Sequence, residues 1–145
     1  MKTEELYKGF AAEKQAEYES WLIDRYGEPM KDHIEESKAQ FAGFSQGQHQ
    51  AMMEELVELE TGLADALRNG QSAHDEELEP LLERHRKWVG CMWGRPCQPD
   101  AYTGLADLYL AHPEFVARYE SIEPGFSSSL AAAMVAHAKR QADGA

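Results

Sequence analysis

The chain has 145 residues, 43% of them hydrophobic, which is about one domain's worth and enough to bury a core. Its 26 acidic side chains against 14 Lys and Arg give a net charge of −12, so the field of the molecule repels nucleic acid and other polyphosphates. The charge is uneven: residues 1–80 carry 19 acids and 7 bases, and residues 81–145 carry 7 of each.

Nowhere does the sequence show the alternation of β-branched and polar residues that a strand needs, and its punctuation is that of helices. The first predicted helix runs from about Thr3 to Arg25, with Leu6, Phe10, Tyr18, Trp21 and Leu22 as a broken apolar stripe ending at Gly27 and Pro29. A second spans about Lys31 to Ala42, with Ile34 and Phe41 a heptad apart. Ser45 then offers an N-cap for a long third helix to Arg68, whose stripe is Met52, Leu56, Leu59, Leu63 and Leu67 and whose glutamates read as a solvated face. Asn69-Gly70 ends it. Ser72 and Asp75 suggest a capping box for a fourth helix over about Ala73 to Val89, with Pro80 marking either a kink or a later start. Its buried stripe is Leu78, Leu81, Leu82, His85, Trp88 and Val89. Gly90 to Cys97 reads as a loop. Pro99 and Pro113 each sit where a first helical turn tolerates proline, which gives short helices over Pro99 to Ala111 and Pro113 to Glu120. A last helix covers about Gly125 to Gln141, with Leu130, Met134 and His137 on one face. The expectation is a single all-α domain of six or seven helices.

Pro124 to Ala138, a charge-free stretch as long as any in the chain, is too short and too rich in serine to span a membrane, and the amino terminus has no signal-peptide pattern. These features point to the cytoplasm, where the two cysteines, Cys91 and Cys97, would be free thiols. Their spacing matches neither a redox pair nor a common zinc module, so no metal and no cofactor is expected. Two readings stand for Cys97. Placed just before the Pro99 helix and near Arg95 it would be a low-pKa thiolate; packed inward it would be a small buried hydrophobe. His85, on the apolar stripe beside Trp88, reads as a hydrogen-bonded core residue more readily than as a catalyst. No Gly-x-Ser-x-Gly and no phosphate loop occurs, so no enzyme is indicated. Trp88, Trp93, Tyr102 and Tyr109 concentrate around the Cys97 segment, with Phe10, Trp21 and Tyr26 available from the first helix. They serve either as core filling or as the walls of a pocket for a bulky, flat, apolar molecule.

Three segments carry a resemblance: Arg84-His85-Arg86-Lys87-Trp88-Val89, the run from Cys97-Gln98-Pro99 to Asp107-Leu108-Tyr109, and Pro113-Glu114-Phe115-Val116-Ala117-Arg118-Tyr119-Glu120. With the opening Leu6-Tyr7-Lys8-Gly9-Phe10 and Trp21-Leu22-Ile23-Asp24-Arg25-Tyr26-Gly27, they resemble the TipAS family, antibiotic-recognition domains at the C-terminus of certain MerR-type transcriptional activators. The resemblance implies a globin-like fold without haem and a cleft for bulky, multi-ring antibiotics such as thiopeptides. It makes Cys97, Trp88, Trp93, Tyr102, Tyr109, His85, Phe10 and Trp21 the candidate ligand-binding residues. It also implies that Cys97 is a candidate for covalent attachment to a dehydroamino acid of the drug. The sequence departs from the family at Tyr102, where a histidine is frequent. By the same resemblance residues 1–45 form a mobile lid over a platform of residues 46–145. The chain is then either the effector half of a regulator, touching DNA only through an upstream winged-helix module, or a freestanding drug-sequestering protein, and the isolated domain is expected to be a monomer. Two other readings remain: a thiol-based redox sensor using Cys91 and Cys97, and an acidic helical adaptor for a basic partner.

Overall fold

A computed structural model describes the backbone of residues 12–144 and the side chains of residues 19–144. Seven α-helices and no strand occur among the described residues: α1 (Ala12–Tyr26), α2 (Pro29–Ala42), α3 (Gln46–Arg68), α4 (Glu79–Trp93), α5 (Pro99–Ala111), α6 (Pro113–Ile122) and α7 (Phe126–Asp143). The all-α architecture agrees with the helical punctuation of the sequence. The start of the first predicted helix, and Phe10 with it, lies outside the described residues.

Local chemistry explains most boundaries. Ser45 and Gln48 form a reciprocal capping box, the Ser45 hydroxyl accepting from the Gln48 N–H at 3.1 Å and the Gln48 side chain accepting from the Ser45 N–H at 2.8 Å. Pro29, Pro80, Pro99 and Pro113 all occupy first turns, where their missing N–H costs nothing. The fourth helix begins later than Ser72 and Asp75 suggested. Asp75 instead caps a single 3-10 turn, Glu76–Leu78, by accepting from the Glu77 N–H, and Ser72 accepts from the His74 N–H. Pro80 then sets the start of α4.

The larger correction is at the other end of α4. Gly90 does not open a loop; the helix runs on to Trp93 and stops at Gly94, whose φ of +79° is the left-handed conformation that favours glycine at this position. Gly90 is instead a point of close approach. The chain folds back over it so tightly that an added Cβ would stand 3.1 Å from both Arg95 O and Cys97 N.

The core is built around α7, which packs most extensively on α5, with α3 and α4 alongside. Phe126, Leu130, Met134 and His137 recur every three or four residues and are at most 2% exposed. Each apolar side chain among them contributes roughly 1.5–3 kcal/mol by leaving water. On α3 the buried stripe is Met53, Leu56, Leu59, Leu63 and Ala64, with Met53 rather than Met52 facing inward. The stripe also includes Glu60, against the expectation of a solvated glutamate face. Glu60 is held by both oxygens to Arg118 of α6, at 2.7 and 3.1 Å. Burial raises its pKa, an effect the Arg118 pairing opposes.

The first two helices are attached differently. Leu22 is the one buried side chain described in α1 and α2. Of the two, α2 lies on α4 and the loop after it through polar links: Ser37 to Met92 O, Gln40 to Cys91 O, and the ion pair Glu36–Arg95 at 2.6 Å. A second exposed pair, Arg25–Asp107 at 2.7 Å, ties α1 to α5. Such exposed pairs are weak and screened by salt.

Candidate functional site

Between this polar-latched roof and the core lies a cleft of about 860 Å³. Helical periodicity builds its floor. On α4, Trp88, Val89, Met92 and Trp93 share a face; on α5, Ala101, Gly104, Leu105 and Leu108 repeat at three and four residues. Tyr109 closes the floor, its ring centroid 5.0 Å from those of Phe115 and Tyr119. Leu22, Tyr26, Met30, His33 and Ile34 form the roof. Large aromatic side chains on one wall and a lightly anchored cover suit a bulky apolar molecule.

The aromatic walls are fixed in place. The Trp88 indole donates to Met52 O at 2.8 Å, which holds its ring against α3. Trp93 meets the His33 ring edge-to-face with centroids 4.8 Å apart. Among the described residues, His33 Nδ1 is the buried side-chain polar atom with no hydrogen-bond partner. Burial, then the nearby Arg95, lowers the His33 pKa and favours the neutral ring. At the opposite wall Arg118 lines the cleft while it grips Glu60.

Of the candidate residues, Trp88, Trp93 and Tyr109 line the cleft. His85 and Tyr102 lie in the core below it, His85 Nδ1 and the Tyr102 hydroxyl 2.7 Å apart in a buried hydrogen bond. Burial, with a contribution from His137, pushes the His85 pKa down to about 4, so this ring is neutral at physiological pH. Trp21 is half-buried on α1 and packs edge-to-face on His112 at 4.9 Å; from the same helix Glu19, Leu22 and Tyr26 reach the cleft. The residues that sequence reasoning missed are Met30, His33 and Ile34 in α2 and Gly104, Phe115 and Arg118 across from them. The i, i+3, i+4 spacing of Met30, His33 and Ile34 was the available signal.

Cys97 is placed differently from the thiolate reading. It is 3% exposed and lines a second, smaller concavity of about 460 Å³ on the far side of the Gly94–Gln98 loop, together with Cys91, Arg86 and Lys87. Burial pushes its pKa up to about 12, against the lowering effect of Arg86. Arg95, expected to supply that charge, is turned toward Glu36. Arg86 instead donates to Cys97 O at 2.8 Å and is itself paired with Glu83. The buried-hydrophobe alternative describes the thiol in this conformation. Arg95 and Pro96 line both concavities, so the loop is a shared partition.

No helix among the described residues is long and apolar enough to cross a membrane. Residues 18–137 match the model of the TipAS antibiotic-recognition domain. The HTH-type transcriptional regulator SkgA, from two strains of Caulobacter vibrioides, is 38% identical over 139 residues; the match covers 96% of this chain and 54% of the regulator. The chain therefore spans about half the length of the curated relatives it matches. A solved structure of TipAS in complex with nosiheptide, from a thiopeptide antibiotic multidrug resistance system of Streptomyces lividans, aligns with a TM-score of 0.76 at 23% identity. That alignment covers 95% of this chain and 94% of the other, and it shows that the two share a fold. With the family model covering most of its length, the chain belongs to the TipAS antibiotic-recognition domain family.

Proposed function

We propose that the chain is the antibiotic-binding effector domain of a cytoplasmic transcriptional regulator, a binding module rather than an enzyme. It takes a bulky, multi-ring molecule of the thiopeptide kind into the cleft beneath α1 and α2. The observation that carries this reading is the cleft itself: about 860 Å³, walled by Trp88, Trp93, Tyr109 and Phe115 and covered by helices that bury one described side chain. The family match supplies the ligand class, and the likeness to SkgA supplies the regulatory setting. DNA contact belongs to a separate module of such a regulator, in keeping with the −12 charge of this chain. The roof acts as a lid whose order increases when the cleft is filled. Capture is reversible. Covalent use of Cys97 would require the Gly94–Gln98 loop to swing aside and release the thiol from burial.

Nosiheptide and a panel of other multi-ring antibiotics, screened by thermal shift, test the proposal. A ligand present at 100 times its Kd stabilises the folded state by about 2.7 kcal/mol. Hydrogen exchange should then slow across α2, and mass spectrometry should show no adduct at Cys97. A panel in which no compound raises the melting temperature overturns the reading, and a Cys97 adduct overturns its reversible form.

A further inference from the structure

The helical glycines of this chain differ in what holds them there. Gly90 sits under the Gly94–Gln98 backbone, and an added Cβ at Gly62 would meet the Leu81 methyls at 3.4 Å. A Cβ built on Gly104 meets no protein atom within 4 Å. Its backbone is not in the left-handed region either, since the positive-φ glycines are Gly27, Gly70, Gly94 and Gly125. Gly104 is thus in the middle of α5, where glycine weakens a helix relative to alanine, with neither packing nor backbone conformation requiring it. It is exposed and lines the cleft together with Ala101 and Leu105 of its own helix and with Met30 and Ile34 of α2.

We propose that Gly104 is the specificity-determining residue of the cleft: its bare backbone is the surface on which a planar, apolar ring of the bound molecule lies. This rests on the reading of the cleft as an antibiotic site. Side chains at 104 would stand where that ring lies, while the small Ala101 beside it keeps the floor flat. Ligands with extended flat ring systems gain the contact, and compact or branched molecules do not fill it. The missing side chain is therefore a feature of the site and not of the fold.

The test uses Gly104→Ala and Gly104→Leu in the full chain, with Thr103→Leu on the neighbouring exposed position as a control and nosiheptide as the probe, read by quenching of tryptophan fluorescence. Both Gly104 variants replace glycine by a better helix former and should melt about 2–4 °C above the parent protein. Gly104→Leu should weaken nosiheptide binding tenfold or more, and Thr103→Leu should leave it unchanged. A Gly104→Leu variant that binds as the parent does overturns the proposal. So does a Gly104→Ala variant that melts lower, because the fold would then need the glycine. A parent protein that binds neither nosiheptide nor any other multi-ring antibiotic of the panel overturns the antibiotic reading and this proposal with it.

Discussion

Gly90→Ala separates the two roles a glycine can have within a helix. At an unobstructed helical position, alanine is the better residue by about 1 kcal/mol. At Gly90 the added Cβ would stand 3.1 Å from Arg95 O and Cys97 N and 3.4 Å from Pro96 Cα, all of them backbone atoms. That segment is pinned: the Gly94 and Arg95 N–H groups both donate to Gly90 O, at 3.0 and 3.2 Å, and Arg86 holds Cys97 O. Overpacking of this kind costs about 1–3 kcal/mol. The balance is a net loss of about 1 kcal/mol, concentrated in the Gly94–Gln98 loop. Urea denaturation measures the loss. Its location is read by reacting Cys97 with a chromogenic thiol reagent in a Cys91→Ser background. Because burial holds the thiol near pKa 12, reaction at neutral pH proceeds through loop opening, and a 1 kcal/mol loss localised there speeds it about fivefold. A Gly90→Ala protein about 1 kcal/mol more stable than its parent, with Cys97 equally protected, would refute the reasoning.

The buried His85 makes stability depend on pH. Its folded pKa of about 4 lies below the ordinary histidine value of 6.5, so its stabilising contribution is complete above pH 6.5, erodes as pH falls toward 4 and is absent below. The difference is worth roughly 3 kcal/mol. A His85→Gln variant should lose correspondingly less stability between pH 7 and pH 4 in parallel urea titrations, and identical pH profiles would argue against the shift. Ser45→Ala removes one half of the capping box and should cost about 1 kcal/mol, with faster hydrogen exchange confined to the first turn of α3.

Features of local origin were legible in the sequence. The Ser45 cap and the first-turn prolines Pro99 and Pro113 set boundaries through contacts that span a few residues, so chain order alone located them, whereas Pro29 reads as the end of the helix before it and Pro80 as either a kink or a start. The tryptophans of the floor were legible too, Trp88 from the helical stripe and Trp93 from the concentration of aromatic residues around Cys97, although Trp93 was placed in a loop and not on the helix. What escaped depends on partners distant in sequence. Glu60 looks like its solvated neighbours until Arg118, 58 residues later, is brought beside it. Gly90 looks like a helix breaker until the chain folds back over it. Tyr102 and Trp93 are equally aromatic, and only the docking of α5 against α7 sends one to the core and leaves the other at the cleft. For Cys97 the helix-terminus argument was sound electrostatics, but burial outweighs it.

The partition that Arg95 and Pro96 form between the two concavities has a practical consequence. Cys91 is exposed on the outer face of that partition, whereas Cys97 is sealed with a thiol that is protonated at neutral pH. A maleimide dye added briefly at pH 7 would therefore attach to Cys91 well before loop opening exposes Cys97. It would sit outside the cleft, against the far side of the wall that a ligand presses, so occupancy could be followed by a fluorophore that never competes for the site.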